Sequence, residues 1–378
     1  MPKNESVLRK VQTEEDLVRL ARADLIFFSR WPLQYKDGYT LWACQQEWQR
    51  VVQESYLARR ADPISGKHLV LLGPSQHGKT YGIDIPFILW LLARDRNPRL
   101  IVASSRDELA EQIGQGIDRM FVEHGKDLAK FGLKPGWPWN AAQKYLERDD
   151  GHLIHPSIFL CGPETELQGN RCDVLFLTDF ATAKNQRSPE VRTKLLDVMD
   201  HTFMPRVEQD GFVLVEGHHV HAEDLYTELE SRDEEWRVRK YKAILEEPCE
   251  SNGGKAKLLA PEAWQFKQLQ RIRARRPTVF QLMYQNIPVE TKGLVNREVL
   301  ERGCDRGRPM VYSCQPEVRM AYKRIIRGID PAFSIRKWSS YSACSTWGIT
   351  ESGQWDLLGG WRARLLPPPL KSKIVQTI

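Results

Sequence analysis

The chain of 378 residues is short of cysteine, of one-signed charge and of long apolar runs. Each shortage excludes something. The seven cysteines (Cys44, Cys161, Cys172, Cys249, Cys304, Cys314, Cys344) are scattered, and no two have C-x-x-C spacing. A zinc ribbon and a disulfide scaffold are excluded, and reduced thiols in a cytosol fit best. The longest apolar stretch, Ile83 to Ala93, has 11 residues and contains Asp84 and Pro86. A membrane span needs about 20, so no membrane partner is expected. The opening residues, MPKNESVLRKV, lack the apolar core of a secretory signal. With 55 basic against 49 acidic residues, the net charge is only +6. That surplus permits a polyanion partner without demanding one. No internal repeat or low-complexity tract is visible.

What is present is a core-forming composition, 41% apolar, in a length that suits two or three domains. Residues 1–60 read as a helical N-terminal region. Leu17, Leu20, Ala21 and Leu25 recur at helical spacing, and a second helical run spans Leu41 to Ala61. Residues 61–292 change texture. The short apolar runs HLVLL, RLIVASS, Ile158–Cys161, Val174–Leu177 and Phe212–Glu216 alternate with helical stretches Lys79–Arg94 and Glu108–Glu123. Strands that alternate with helices predict an α/β domain, a parallel sheet with helices on both faces. Residues 293–318 are polar and rich in Gly and Arg, a linker. Residues 319–378 hold three short strands (RIIRGID, YSACSTWGI, WDLLGGWRARL), with a turn at Glu351-Ser352-Gly353 and a helix start at Lys371.

The strongest motif is GPSQHGKT, which fits G-x-x-x-x-G-K-[ST], the Walker A phosphate loop. It comprises Gly73, Pro74, Ser75, Gln76, His77, Gly78, Lys79 and Thr80. The glycines let the backbone curl so that successive amides face phosphate oxygens. The lysine reaches the β and γ phosphates, the Thr80 hydroxyl ligates magnesium, and the helix that follows adds its dipole. ATP and Mg2+ are the expected ligands. Such a site needs an acid at the end of another strand. VLFLTDF supplies Asp179 there, whereas Asp173 stands at the strand's other end. Many nucleoside triphosphatases carry two adjacent acids at this place; here Phe180 follows, and the water-orienting carboxylate is unassigned.

Several further segments, in order, resemble one family, the large terminase subunit of tailed bacteriophages. They are IDIPFILWLLARDRNPRLIVASS after the phosphate loop, LQGNRCDVLFLTDF, SPEVRTKLLDVMDHTFMPRVEQDGFVLVEGHHVHAEDLY, LLAPEAW with RRPTVFQLMYQNIP, and GIDPAFS with SSYSACSTWGI. The resemblance spans residues 20 to 378. It implies a P-loop NTPase sheet followed by the first three strands of an RNase H-like nuclease domain. It implies an ATP-driven motor that packages double-stranded DNA in the cytoplasm of a bacterial host, as a homo-oligomeric ring with a portal protein and a small terminase subunit. It places Trp42, Gln45 and Gln46 near the adenine, and Gly217 and His218 in the coupling segment. It makes Asp330 the first metal-binding carboxylate of the nuclease. Ser75, Gln76 and His77 stand where many members carry Arg or Lys, which leaves Arg106 and Arg206 as candidate arginine fingers.

Two other clusters carry weaker signals. His218, His219 and His221 with Glu223 and Asp224 form a possible metal cluster, but adjacent histidines share one tetrahedral ion poorly. Arg271, Arg273, Arg275 and Arg276 suit either a helix C-terminus or DNA phosphates. Only Glu351 and Asp356 follow Asp330 as acids, so the nuclease metal cluster is expected to be incomplete. The alternatives to a packaging motor are a degenerate prophage-derived nucleotide-binding protein and a helicase-like repair ATPase.

Overall fold

The structure, a computed structural model, describes residues 13–33, 40–148, 154–289, 322–331, 342–353, 355–363, 369 and 371. The chain divides into two units, Met1–Thr291 and Lys292–Ile378. The Gly- and Arg-rich stretch around 290–321 lies outside the described residues, and so do most of those beyond 363.

The first unit opens with three helices, α1 (Glu14–Ala23), α2 (Leu25–Arg30) and α3 (Ala43–Ala61). Thr13 and Asp24 cap the first two by accepting from the backbone N–H of Asp16 and Phe27. These side chains satisfy donors that the first helical turn leaves free. Strand β1 (His68–Leu72) follows, then a widened helical turn (Thr80–Asp84) that runs into α4 (Ile85–Arg94). Next come β2 (Leu100–Ala103), α5 (Asp107–Ala129), β3 (Pro135–Trp139), β4 (Gln143–Leu146), β5 (Ile158–Cys161) and β6 (Cys172–Thr178). The rest comprises α6 (Pro189–Val198), β7 (Val207–Gly217), α7 (Leu225–Glu230), β8 (Trp236–Lys240), the small pair β9 (Ile244–Glu246) and β10 (Lys257–Leu258), α8 (Phe266–Arg275) and the single turn α9 (Pro277–Val279).

Eight strands form one sheet in the order β3-β4-β5-β2-β6-β7-β1-β8. From β5 to β8 all pairings are parallel, and β3 and β4 attach antiparallel at one edge. Both faces are covered, which explains why the inner strands read as unbroken apolar runs. Leu69 and Leu71 of β1 join one core with Phe87, Trp90 and Trp48; Val70 and Leu72 join the other with Leu195, Leu225 and Tyr226. Helix α4 is the centre of the first core, with every residue from Ile85 to Ala93 buried. From Ile85 to Ala93 nothing solvates it, because α1, α2 and α5 all pack against it.

The sequence pattern missed the sheet's edges. PGWPW forms β3 although proline cannot donate to a ladder, and this is tolerated because β3 is an edge strand. WRVRK forms β8 at the other edge, where its cations reach solvent. At the amino ends of the strands, Arg99, just before β2, donates to Asp173 of β6 (3.0 and 3.1 Å) and to Glu208 of β7 (2.9 Å), so Asp173 serves a structural tie there.

The second unit is described as a three-stranded antiparallel sheet, β11 (Arg324–Asp330), β12 (Ser342–Ile349) and β13 (Trp355–Ala363), in that order. Asp330 pairs with Ala343 at one end. Glu351 lies in the turn at the opposite end, 4.0 Å from Lys323. Asp356 pairs with Gly348, itself across from Ile325, again at the end away from Asp330. Cys44, Cys161, Cys172, Cys249 and Cys344 are free thiols. Among the described residues no helix is long and apolar enough to cross a membrane.

His68 opens β1 inside the core, 6% exposed, with its ring 5.2 Å from Trp236. Its Nδ1 accepts from the Val213 N–H at 3.2 Å, a role that only the neutral ring can fill. Burial pushes its pKa down to about 4, with Arg59 adding to the shift. The unfolded chain takes up the proton near pH 6.5, the folded chain only near 4, so acidification through this window favours unfolding. We expect denaturation experiments to show that His68→Asn, which keeps an acceptor, removes up to about 3 kcal/mol of the stability loss between pH 6.5 and 4. Equal pH slopes in the two proteins would contradict this account.

Candidate active site

The carboxyl ends of β1, β6 and β7 converge on the Gly73–Thr80 loop. Its first amide, Gly73 N–H, donates to the carbonyl of Gly217 at the end of β7 (3.0 Å). The loop then curls because Gln76 (φ 60°) and Gly78 (φ 70°) adopt left-handed backbone conformations. A Cβ at Gly78 would lie 2.7 Å from Gln45 Nε2, so glycine is needed there for space as well as for conformation. Helix α3 braces the loop from outside: Gln45 donates to Gly78 O (3.0 Å) and Gln49 to Gly82 O (2.8 Å). Trp42 lies against Gly78 as well. Gln46 turns away and donates to Leu41 O.

His77 is buried within the loop. Its Nδ1–H donates to Ser75 O (2.8 Å) and its ring stacks on Trp264 at 5.5 Å. Burial pushes its pKa down to about 4, so it adds no charge to the loop at neutral pH. The Ser75 N–H donates to Met283 O (2.8 Å), which fastens the loop to the segment after α9.

Beneath the loop lies a charged cluster. Lys79 is 8% exposed and its Nζ stands 3.4 Å from Oε1 of Glu216, itself 1% exposed. The Thr178 hydroxyl is 3.0 Å from Glu216 Oε2 and 3.3 Å from Asp84 Oδ2, and its one proton serves one of them at a time. Asp179 follows Thr178 with φ 41°, donates its N–H to Glu216 O (2.9 Å) and has Oδ1 3.4 Å from His218 Nδ1. One ammonium thus faces three carboxyls. Burial, reinforced by Asp179, pushes Asp84 up to about 7, and burial raises Glu216 well above the carboxylate range. Desolvation would lift Asp179 too, but Lys79 and His218 outweigh it and hold this carboxyl below its ordinary value. Burial disfavours charge on Lys79, yet Glu216, Asp179 and Asp84 keep it protonated.

The residues present suit a hard divalent cation. Thr80 is exposed, and the Asp179 side chain is half-exposed although its Oδ1 is buried against His218. Hydroxyl and carboxylate oxygens are the donors magnesium prefers.

The sequence motifs do not single out Glu216 or Asp84. Each carries the same signal as Asp179, a carboxylate set in an otherwise apolar run (FVLVEG and GIDIPFILWLL). One expectation needs correction. Arg206 immediately precedes β7, whose first residue, Val207, pairs with Cys172 at the amino end of the sheet. A bulge shortens β7 between Val207 and Phe212, so the strand climbs only the span of Cys172–Thr178 beside it, roughly 20 Å, which still keeps Arg206 from this loop in the same chain. The three histidines do not converge on one ion either. His218 faces Asp179, buried His219 meets both oxygens of Asp224 (3.1 and 3.2 Å), and His221 accepts from Glu223 N–H. Among the described residues no group of three or more His, Cys, Asp or Glu is arranged to hold a metal. Arg106 flanks α5 with its guanidinium exposed, 3.9 Å from Glu108. On α8, Arg273 pairs with Glu247 and lies over Phe280, while Arg271, Arg275 and Arg276 are exposed.

No protein-family model matches the chain, and no curated protein does. Solved structures to which it is similar include the HK97 bacteriophage large terminase, at 15% identity over 94% of this chain and 70% of that one, with a TM-score of 0.46. A large terminase from a thermophilic bacteriophage, in complex with ATP-gamma-S, overlaps 89% of this chain and 73% of its own at 9% identity and a TM-score of 0.40. The ATPase domain of the Thermus phage P74-26 large terminase overlaps 70% of this chain and 98% of its own, at 15% identity and a TM-score of 0.44. Overlaps this loose leave the function to be read from the chain's own residues.

Gly217 closes β7 where a Cβ would lie 2.0 Å from the hydroxyl of fully buried Tyr226. Gly217→Ala is expected to destabilise the first unit by about 1–3 kcal/mol through overpacking. Unfolding in urea followed by tryptophan fluorescence measures it, and an unchanged midpoint would show that Tyr226 moves aside freely.

Proposed function

We propose that the first unit binds and hydrolyses ATP on the Gly73–Thr80 loop, and that the chain is an ATP-driven subunit that moves double-stranded DNA, a packaging motor of the large-terminase kind. The observation that carries the ATPase reading is Lys79, buried at the end of the phosphate loop and neutralised by acids from the ends of two neighbouring strands. In ATP's absence such a lysine needs a counter-ion, and when ATP enters, the phosphates replace it. The loop amides and the dipole of the following helix bind the phosphates. Lys79 offsets charge on the β and γ oxygens. Thr80 and Asp179 would hold magnesium, which shields the phosphate charge when bound. His218 steadies Asp179 from the coupling segment that follows β7.

The translocating role rests on the ordered sequence segments that resemble large terminases. On this reading β11–β13 belong to an RNase H-like domain, the exposed arginines of α8 meet DNA phosphates, and copies of the chain form a homo-oligomeric ring that works with a portal protein and a small subunit in the bacterial cytoplasm. A helicase-like repair ATPase would share the loop but would not fill procapsids.

Lys79→Ala is expected to lower phosphate release at least 100-fold while the far-ultraviolet circular dichroism stays that of the parent, since a lost transition-state cation costs about this much. Asp179→Asn is expected to remove the magnesium dependence along with turnover but to leave weak nucleotide binding, read by a fluorescent ATP analogue. Parental hydrolysis in Lys79→Ala would overturn the loop's assignment.

Asp330 lies at the end of its sheet away from Glu351 and Asp356, and two-metal cutting needs carboxylates around ions about 4 Å apart. The purified chain with manganese is expected to leave supercoiled plasmid intact. Nicking that disappears in Asp330→Ala would show otherwise.

A further inference from the structure

Hydrolysis requires a group that orients the attacking water beside the γ phosphate. The position after Asp179 offers none: Phe180 is fully buried and packs against Phe203 at 5.5 Å. The adjacent strand offers one. Glu216 sits one residue before the end of β7, between β6 and β1, with its backbone paired to Leu71 and Thr178. Its Oε2 is held by the Thr178 hydroxyl at 3.0 Å, which fixes the side chain's direction. Its Oε1, buried and accepting no hydrogen bond among the described residues, faces the Lys79 ammonium at 3.4 Å. The lysine that must reach the γ phosphate therefore starts in contact with this oxygen. When it moves to the phosphate it leaves an acceptor, held by Thr178, at the carboxyl end of β7 beside the loop. Asp84 is less well placed, because it lies on the helical turn that descends from the loop into the core.

We propose that Glu216 is the water-orienting carboxylate of the site, supplied by the strand beside that of Asp179 and held in check by Lys79 until nucleotide arrives; this rests on the ATP-hydrolysing reading above. The water donates one hydrogen bond to Oε1, and its oxygen attacks the γ phosphorus. The bond from that phosphorus to the β–γ bridging oxygen breaks, with its electron pair leaving on ADP. As the new bond forms, the water's proton passes to an oxygen of the γ phosphate and leaves with the released phosphate, so Glu216 orients the water without itself gaining a proton.

The test is Glu216→Gln, which keeps shape but not charge, compared with the parent and with Lys79→Ala in full-length chain. ATP affinity, read by equilibrium dialysis, is expected to stay within about threefold of the parent. Single-turnover phosphate release is expected to fall by about 10²–10⁴, so that the variant retains uncleaved ATP. Parental release from Glu216→Gln, with release lost in Lys79→Ala, would overturn the role of Glu216 and leave the ATPase reading standing. A parent chain that neither binds nor cleaves ATP would overturn both. If Glu216→Gln melts far below the parent, Glu216→Asp carries the test: at least tenfold slower release at parental ATP affinity supports the role, and parental release overturns it.

Discussion

A lysine buried against carboxylates is the constraint around which the first unit is organised. An isolated ammonium at that depth would lose its proton or drag in water. Lys79 keeps its charge because β6 and β7 end beside it with Asp179 and Glu216, and because Asp84 follows on the descending helix. That requires three strands to finish at one level. Their parallel pairing fixes the level, and the doubly covered sheet fixes the pairing. Burial, reinforced by the neighbouring acids, pushes Asp84 and Glu216 upward, while Lys79 and His218 hold Asp179, nearest to solvent, ionised. The excess of acid is the complement of a site that expects further positive charge.

The phosphate loop was legible because its chemistry is local. Glycines, lysine and threonine act at fixed spacing, and the strand before and helix after them are strongly apolar. The inner strands were legible for the same reason, since burial on both faces leaves no polar alternation to confuse the pattern. The edges were not. β3 carries two prolines and β8 alternates cations with apolar residues, patterns that look like loop or helix until the edge position explains them. Glu216 escapes sequence reasoning because a second acid is expected immediately after Asp179 along the chain. The sheet instead supplies it from thirty-seven residues onward, across one strand spacing. Spatial adjacency created by strand order has no trace in local spacing. Arg206 failed in the opposite sense: close to the site in sequence motif order, it lies a full strand length away.

The backbone itself records where the site is held against its own preference. Among the described residues, the non-glycine residues with left-handed φ are Gln76, Asp179 and Asn286. Each such position costs on the order of 1–3 kcal/mol unless its surroundings over-determine it. All three lie along the carboxyl edge of the sheet. Gln76 is in the loop and Asp179 turns away from β6. Asn286, 2% exposed, donates to the carbonyls of Leu72 (3.1 Å) and Tyr241 (2.8 Å) and accepts from the His219 N–H (3.2 Å). Its side chain thus binds the ends of β1 and β8 to the segment after β7.

The consequence is that the loop cannot move by itself. Ser75 is fastened to Met283, and Asn286, three residues on, is fastened to the segment after β7 at His219. Gly217, between Glu216 and that segment, accepts the loop's first amide N–H at its carbonyl and has no room for a side chain against Tyr226. When Lys79 leaves Glu216, the charge holding the end of β7 changes, while the hydrogen bonds on either side of it do not. Among the described residues, the segments tied to that point are 217–221 and 283–286, while Gln45 of α3 braces the loop from outside.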